Sequence, residues 1–216
     1  MRSLSDATIK KLYLYALNVP GPKTWWITRL AMYKELQDQL KEYDAPEKTC
    51  LAISDSADFG RNILGITQAT YAVADYPEHN MLSLKFPDDA FDFCISDQVL
   101  EHVEGSPIQA FCESARIVRP GGCICHTTCF INEIHGVPKD FWRFTPDALL
   151  WMAKEAGLET VLVGSWGNRE IGSVMQMGER FSRIPDDPQH PVYQLAMKNE
   201  KDWPIHVWII ARKPNS

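Results

Sequence analysis

The segment Ile134-His-Gly-Val-Pro-Lys-Asp-Phe-Trp-Arg-Phe-Thr-Pro146 holds more polar and aromatic function than a connecting loop needs. An imidazole such as His135 takes a proton from a hydroxyl near neutral pH. The planar fork of Arg143 suits a phosphate or carboxylate, and Trp142 offers an apolar wall or a face for a sugar. The same residues have a structural reading, in which Arg143 pairs with Asp140 while Phe141, Trp142 and Phe144 anchor the loop to the core. The expectation is function for His135 and Arg143 and structure for Phe141 and Phe144. Thr145 followed by Pro146 reads as a helix N-cap with proline at the first helical position. His102, at the end of Gln98-Val-Leu-Glu-His102, is the other candidate base. It reads equally as a helix-start residue satisfied by a neighbouring carboxylate. His126 is the third histidine in this region.

These residues hang from a recognisable frame. Phe91, Phe93 and Ile95 form a short apolar run between an Asp-Asp turn and polar Ser96-Asp97, which is how a buried parallel strand reads. Ile108, Phe111, Ala115 and Val118 repeat at helical spacing and end at Pro120 and Gly121-Gly122. Cys123 onward makes the next strand, so a βαβ unit is expected. Thr49–Ser54 and Ala69–Ala74 are earlier strands, Pro146–Ala156 a helix, Leu158–Ser165 a strand, and Trp203–Lys213 the last strand. Upstream, residues 1–19 read as a short helix (Leu4, Ile9, Leu12, Tyr13, Ala16), broken at Pro20-Gly21-Pro22. Thr24–Tyr43 reads as a stronger helix with Trp26, Leu30, Tyr33, Leu36 and Leu40 on one stripe. Residues 166–202 read as irregular, an insertion that shapes a substrate site or simply runs over the surface. Within them, Trp166-Gly-Asn-Arg169 is expected to be a tight glycine turn with a packed tryptophan.

Phe86-Pro-Asp-Asp-Ala-Phe-Asp-Phe-Cys-Ile-Ser-Asp-Gln-Val-Leu-Glu-His-Val103, read with Arg116-Ile-Val-Arg-Pro-Gly-Gly122, resembles the second half of a class I S-adenosylmethionine (SAM)-dependent methyltransferase domain of the type 11 kind. The resemblance spans roughly residues 49 to 213. It implies an α/β, Rossmann-like sheet, mostly parallel with an antiparallel final strand, and SAM as cofactor. Only ten residues separate Asp75 from the Phe86-Pro turn, too few for a crossover helix and strand, so one edge strand is expected to be missing. The implied division is an N-terminal helical extension over 1–48 and the methyltransferase-like domain over 49–216.

The resemblance also assigns a cofactor site. The turn after the first strand, normally glycine-rich, is Cys50-Leu-Ala-Ile-Ser-Asp-Ser-Ala-Asp-Phe-Gly60 here. Ser54, Ser56 and Asp58 stand near the glycine positions, Gly60 remains, and Asp55 is the candidate to hold the cofactor's ammonium. Asp75 matches the acid that accepts the ribose hydroxyls, and Asn80-Met81 the pair that meets the adenine. Tyr76, Ser96 and Gln98 complete the set. Related enzymes place a metal on Glu-x-x-Glu-His; with Gln98 in the first position no metal is assigned. The His135 segment resembles segments of bacterial methyltransferases associated with glycan or small-metabolite tailoring.

Bulk properties set outer limits. The chain has 216 residues, 45% apolar, and a net charge of -6. That is ample for one buried core. No basic run suggests duplex nucleic acid as a partner, and no apolar stretch suggests membrane insertion. None of the six cysteines forms a Cys-x-x-Cys pair, so small buried hydrophobes in a reducing cytoplasm are expected. The working expectation is a cytoplasmic methyltransferase acting on a small-molecule or glycan acceptor, at oxygen, with His135, His102 and Arg143 doing the chemistry. The alternative is a non-catalytic domain that kept the fold and lost its cofactor site. A doubly wound oxidoreductase is disfavoured, because no Gly-x-Gly-x-x-Gly turn exists.

Overall fold

The computed structural model describes residues 6–136 and 139–215; Leu4 of the expected first helix lies outside them. The elements run α1 (Asp6–Leu17), β1 (Lys23–Trp26), α2 (Leu30–Leu36), β2 (Thr49–Ile53), α3 (Ala57–Phe59, continued as a wider turn over Gly60–Leu64), β3 (Thr70–Ala74), β4 (Phe91–Asp97), α4 (Pro107–Ile117), β5 (Val118–Cys129), α5 (Pro146–Glu155), β6 (Glu159–Trp166), α6 (Arg169–Gln176), β7 (Arg183–Pro185), α7 (Pro191–Met197) and β8 (His206–Arg212). Six strands form one sheet in the order β3-β2-β4-β5-β8-β6. β2, β3, β4 and β5 are mutually parallel, and β8 runs antiparallel to both β5 and β6. This is the expected Rossmann-like methyltransferase sheet with an antiparallel last strand.

The sheet ends at β3, with no strand outside it among the described residues. Residues 75–90 therefore return to β4 without a crossover, and α4 holds them in place. Arg116 donates to the carbonyls of Phe86 (2.8 Å) and Leu84 (2.9 Å), and Glu113 accepts from the Leu84 backbone N–H (2.8 Å). One arginine and one glutamate thus satisfy backbone groups that a further strand would have paired.

Apolar side chains fill both faces. Cys50, Ala52, Phe93 and Ile95 belong to a core shared with α2, α6 and α7; Leu51, Ile53 and Cys94 pack with α4 and α5 on the other face. Double coverage is why β4 and β8 are buried almost throughout. All six cysteines are free, and five of them are buried.

Two expectations are corrected here. The helix expected over Thr24–Tyr43 is three pieces: β1, α2 and a single 3-10 turn at Lys41–Tyr43. Asp38 takes a left-handed backbone (φ 61), which stops the helix. Its N–H and that of Leu40 donate to the Ile63 and Leu64 carbonyls instead. Trp25 and Trp26 lie in β1, which pairs with β7, so the N-terminal stretch is not wholly helical. Residues 166–202 are not irregular either. Asn168 caps α6 through the Ile171 N–H (2.8 Å), and His190 with Pro191 starts α7. Clustered glycines and prolines hid these short helices, whose buried faces (Ile171, Val174, Met175; Val192, Ala196) find partners only in the folded chain.

Candidate functional site

The carboxyl ends of β2, β3 and β4 open into a cavity of about 440 Å³, at the point where strand order reverses and open α/β sheets bind ligands. Its floor is Ile53, Ser54 and Asp55 from β2, Ala74 and Tyr76 from β3, and Asp97, Gln98 and Val99 from β4. His79, Asn80 and Met81 form one side; His102, Val103, Glu104 and Phe141 form the other. Among the described residues, three carboxylates (Asp55, Asp97, Glu104) line the cavity without a lysine or arginine.

Two turns at the floor are unusual. Ser54 (φ 53) and Gln98 (φ 59) both adopt the left-handed backbone, which costs a non-glycine residue about 1–2 kcal/mol. Both are held by hydrogen bonds. The Ser54 N–H donates to the Ala74 carbonyl (3.0 Å). Gln98 donates from its backbone N–H (3.1 Å) and its amide (3.0 Å) to the Thr127 hydroxyl. That hydroxyl in turn donates to Asp97 Oδ1 (2.5 Å), while the Tyr33 hydroxyl donates to Asp97 Oδ2 (2.6 Å). Burial first, and then the Asp97 carboxylate, push the Tyr33 hydroxyl up, so it remains a donor. Asp97 is thereby fixed at the cavity floor.

Of the ten cofactor positions read from sequence, Ser54, Asp55, Tyr76, Asn80, Met81 and Gln98 line the cavity. Asp75 is exposed between two lining residues, and its carbonyl accepts from the His79 N–H. Ser56, Gly60 and Ser96 lie outside the lining. Ser56 Oγ donates to the Ile53 carbonyl (2.6 Å) and accepts from the Asp97 N–H (2.9 Å), tying β2 to β4. A Cβ on Gly60 would come 2.3 Å from the Tyr71 hydroxyl oxygen and 2.6 Å from Ile95 Cδ1, so this glycine lets a helix turn pack on the sheet. Ser96 points away and meets His126 Nδ1 at 2.8 Å. His126 Nε2 lies 3.1 Å from the Ser114 hydroxyl. Fully buried, the imidazole is pushed down to about 3 by desolvation and stays a neutral core group.

The loop after β5 brings the other candidates to the same edge. Glu101 is buried; its Oε2 accepts from Thr128 Oγ1 (2.8 Å), and its Oε1 has no partner. His135 Nε2 lies 3.9 Å from that Oε1. The His102 and His135 rings meet edge to face with centroids 5.0 Å apart. His102 Nδ1 donates to the Lys139 carbonyl (2.6 Å), which leaves Nε2 as the basic nitrogen. His135 Nδ1 lies 3.0 Å from the Glu133 carbonyl and 3.2 Å from Asp140 Oδ2, which again frees Nε2. Ligand atoms of Glu101, His102 and His135 all lie within 4.8 Å of one another, close enough for one cation.

Arg143 does not reach toward an acceptor. It binds Asp140 with both terminal nitrogens (2.5 and 2.7 Å) and also donates to the carbonyls of Trp142 (2.8 Å) and Glu133 (3.1 Å). The guanidinium holds the Asp140 carboxyl well below the usual carboxylate range. This is the loop's own brace, and the acceptor clamp expected of Arg143 is corrected accordingly. Phe144 is buried as expected, but Phe141 is 42% exposed and lines the cavity, so its anchoring role is also corrected. Trp142 Nε1 donates to the Val103 carbonyl (2.9 Å). Thr145 caps α5, and Trp166 is buried beside Gly167, where a Cβ would come 2.1 Å from the Trp203 carbonyl oxygen.

Sequence reasoning passed over Asp97, Glu104 and Tyr33. Asp97 sits between two residues that were singled out, and polarity at the last position of a buried strand was the available signal. Tyr33 carried none, because an aromatic on an apolar helical stripe looks like core.

Residues 48–126 match the family described as a methyltransferase domain. No curated protein matches the sequence. Among solved structures, a chain of the complex between the Haloferax volcanii Trm112 methyltransferase activator and its methyltransferase is 15% identical. That match covers 88% of this chain and 95% of that one, with a TM-score of 0.55. Haemonchus contortus phosphoethanolamine N-methyltransferase 2, in complex with S-adenosyl-L-methionine, is also 15% identical; it covers 97% of this chain and 57% of that one, at TM-score 0.52. The [4+2]-cyclase SpnF is 16% identical and covers 100% and 99%, at 0.50. At such identities the likeness is one of fold, and a cyclase in this company shows that the fold alone does not fix the reaction. No described helix is long and apolar enough to cross a membrane.

Proposed function

We propose, for a chain that carries a class I SAM-dependent methyltransferase domain, that it transfers a methyl group to a hydroxyl oxygen of a small-molecule or carbohydrate-like acceptor. SAM is the cofactor of this domain family. The observation that carries the reading is the charge of the cavity: Asp55 and Asp97 line it outside any ion pair, Glu104 lines it paired with Lys139, and no lysine or arginine stands in the described lining. Such a lining attracts a ligand that carries both a sulfonium and an ammonium, and repels a phosphate-rich nucleotide.

When bound, the cofactor supplies an electrophilic methyl group on its sulfonium. The chain supplies the rest. Met81 and Ile53 give apolar walls, Asp97 is held by Tyr33 and Thr127 at the floor, and Asp55 and Asp75 are the carboxylates available to an ammonium and to ribose hydroxyls. His102 Nε2 and His135 Nε2 are the basic nitrogens beside the cavity, and either takes the acceptor's hydroxyl proton as the new bond forms. Protonated His135 then faces the unpartnered Glu101 Oε1. Phe141 lines the mouth, where a sugar-like acceptor would stack, and Trp142 follows it, tied to the Val103 carbonyl.

A second reading rests on that same orphaned oxygen: Glu101, His102 and His135 would hold a divalent cation that polarises the hydroxyl. Dialysis against a chelator separates the two. Unchanged turnover supports the histidines as bases; turnover lost and then restored by Mg²⁺ supports the cation.

The first experiment is isothermal titration with SAM and with S-adenosylhomocysteine, followed by an acceptor screen that begins with sugars. Micromolar binding of both supports the reading. Absence of binding by either at millimolar concentration favours the alternative of a non-catalytic domain.

A further inference from the structure

Arg29 and Arg180 are two guanidiniums without an acid. Arg29 opens α2 and is 8% exposed, yet no carboxylate comes within ion-pair distance of it or of Arg180 among the described residues. Arg29 Nη1 lies 3.1 and 3.2 Å from the two ring nitrogens of His206, and its Nε is buried with no partner. Arg180 Nε is likewise buried and unpartnered, with the guanidinium 4.8 Å over the Phe181 ring. The segments that carry them touch: Thr28 Oγ1 donates to the Arg180 carbonyl (3.0 Å).

An arginine cannot shed its proton to escape burial. Arg180 is disfavoured in its charged form by desolvation first and by the like charge of Arg29 second; Glu133 and Glu101 favour the charge but neither forms an ion pair with it. His206 offers no counter-charge, because burial and both arginines drive its imidazole well below its usual range. One buried and one half-buried like charge, the first against a neutral ring, leave an unmet demand for an anion.

The position of this demand matters. His206 begins β8 and pairs with Cys129 at the carboxyl end of β5 and with Trp166 at that of β6. It therefore lies on the same sheet edge as the cavity, on the β5 side. The Arg29 carbonyl accepts from the Tyr33 N–H (2.9 Å), one helical turn before the tyrosine that fixes Asp97.

We propose that Arg29, seated on His206, and its neighbour Arg180 bind an anionic group, a carboxylate or a phosphate, carried by the acceptor. The inference deepens the methyl-transfer reading and rests on it: the acceptor's charged end lies on the arginines while its hydroxyl meets the histidines. Bidentate guanidinium contacts are the usual way to hold either group.

The test titrates inorganic phosphate and, separately, acetate into the whole chain, its Arg180→Gln and Arg29→Gln variants, and Lys198→Gln as an exposed control. S-adenosylhomocysteine is titrated into the same samples. Saturable binding of one anion per chain is expected, weakened about tenfold or more in Arg180→Gln and unchanged in Lys198→Gln. The preferred anion tells carboxylate from phosphate. Arg29→Lys, which keeps the charge, stands in if Arg29→Gln fails to fold, and should bind the anion more weakly than wild type. The inference is overturned if neither anion binds saturably, or if both bind Arg180→Gln as tightly as wild type. A merely structural role would lower the melting temperature and leave the anion constant alone. Loss of S-adenosylhomocysteine binding with anion binding intact strikes the methyl-transfer reading and not the arginine site.

Discussion

The two halves of the site are built on opposite charges and by different means. The proposed donor side, mostly within residues 48–126, is an open acidic cavity made from strand ends, with carboxylates and no lysine or arginine in its described lining. The proposed acceptor side is assembled from pieces distant in sequence. It comprises the braced loop segments 131–136 and 139–145, the start of α2, the segment after α6 and the first residue of β8, with Arg29 buried, Arg180 half-buried and neither in an ion pair among the described residues. The proposed donor side lies mostly within the family match; apart from Glu101 and His102, the proposed acceptor side lies outside it. A domain of this kind keeps its donor chemistry in one βαβ frame and changes its acceptor through loops and additions that merely pack on the frame.

That contrast can be broken at several points. The largest effect is expected at the histidines. His102→Ala or His135→Ala should lower turnover about 10²- to 10⁴-fold while cofactor affinity by calorimetry stays the same. A parallel loss of affinity would mean that donor and acceptor sides are not separable. Asp97→Asn should weaken cofactor binding by at least about tenfold, since it removes the charge fixed by Tyr33 and Thr127. An unaltered dissociation constant would show that the acidic lining does not select the ligand.

A smaller effect concerns stability. His126 is neutral and buried in the fold but takes up a proton once unfolded. Its stabilising contribution is therefore intact above about pH 6.5 and is lost as pH falls toward about 3. The urea midpoint should drop between pH 7 and 5, and His126→Asn should flatten that slope without touching cofactor affinity. A slope unchanged by the substitution would assign the acid sensitivity to other groups, His206 first. The smallest effect is at the glycine-poor turn. Ser54→Gly should raise stability by about 1 kcal/mol, because the left-handed backbone there is free for glycine and strained for serine. A destabilised variant would mean that the serine side chain holds the turn.

Much of the frame was legible from residues alone. The runs at Phe91 and Thr49, the Pro-Gly-Gly turn and the capped helix at Thr145-Pro146 are local patterns, and short-range backbone preference together with two-sided burial decides them. The shortened link between Asp75 and Phe86 even announced the missing edge strand, since chain length limits what a connection can cross. Segments whose partners lie far along the chain were not legible. Trp25 and Trp26 became a strand because β7 was there to pair, and Asp38 ended a helix because Ile63 and Leu64 supplied carbonyls.

The same division runs through the site. Sequence determined that a carboxylate, a histidine and a polar turn stand at strand ends, because parity and position fix where a strand delivers its last side chains. Only the tertiary structure decided that Ser56, Gly60 and Ser96 support the cavity from behind and that Arg143 is spent on Asp140. It also brought Glu101, His102 and His135 together and left Arg29 and Arg180 in no ion pair among the described residues. Burial and charge pairing are properties of neighbours, and the neighbours of these residues come from elements up to 177 positions apart.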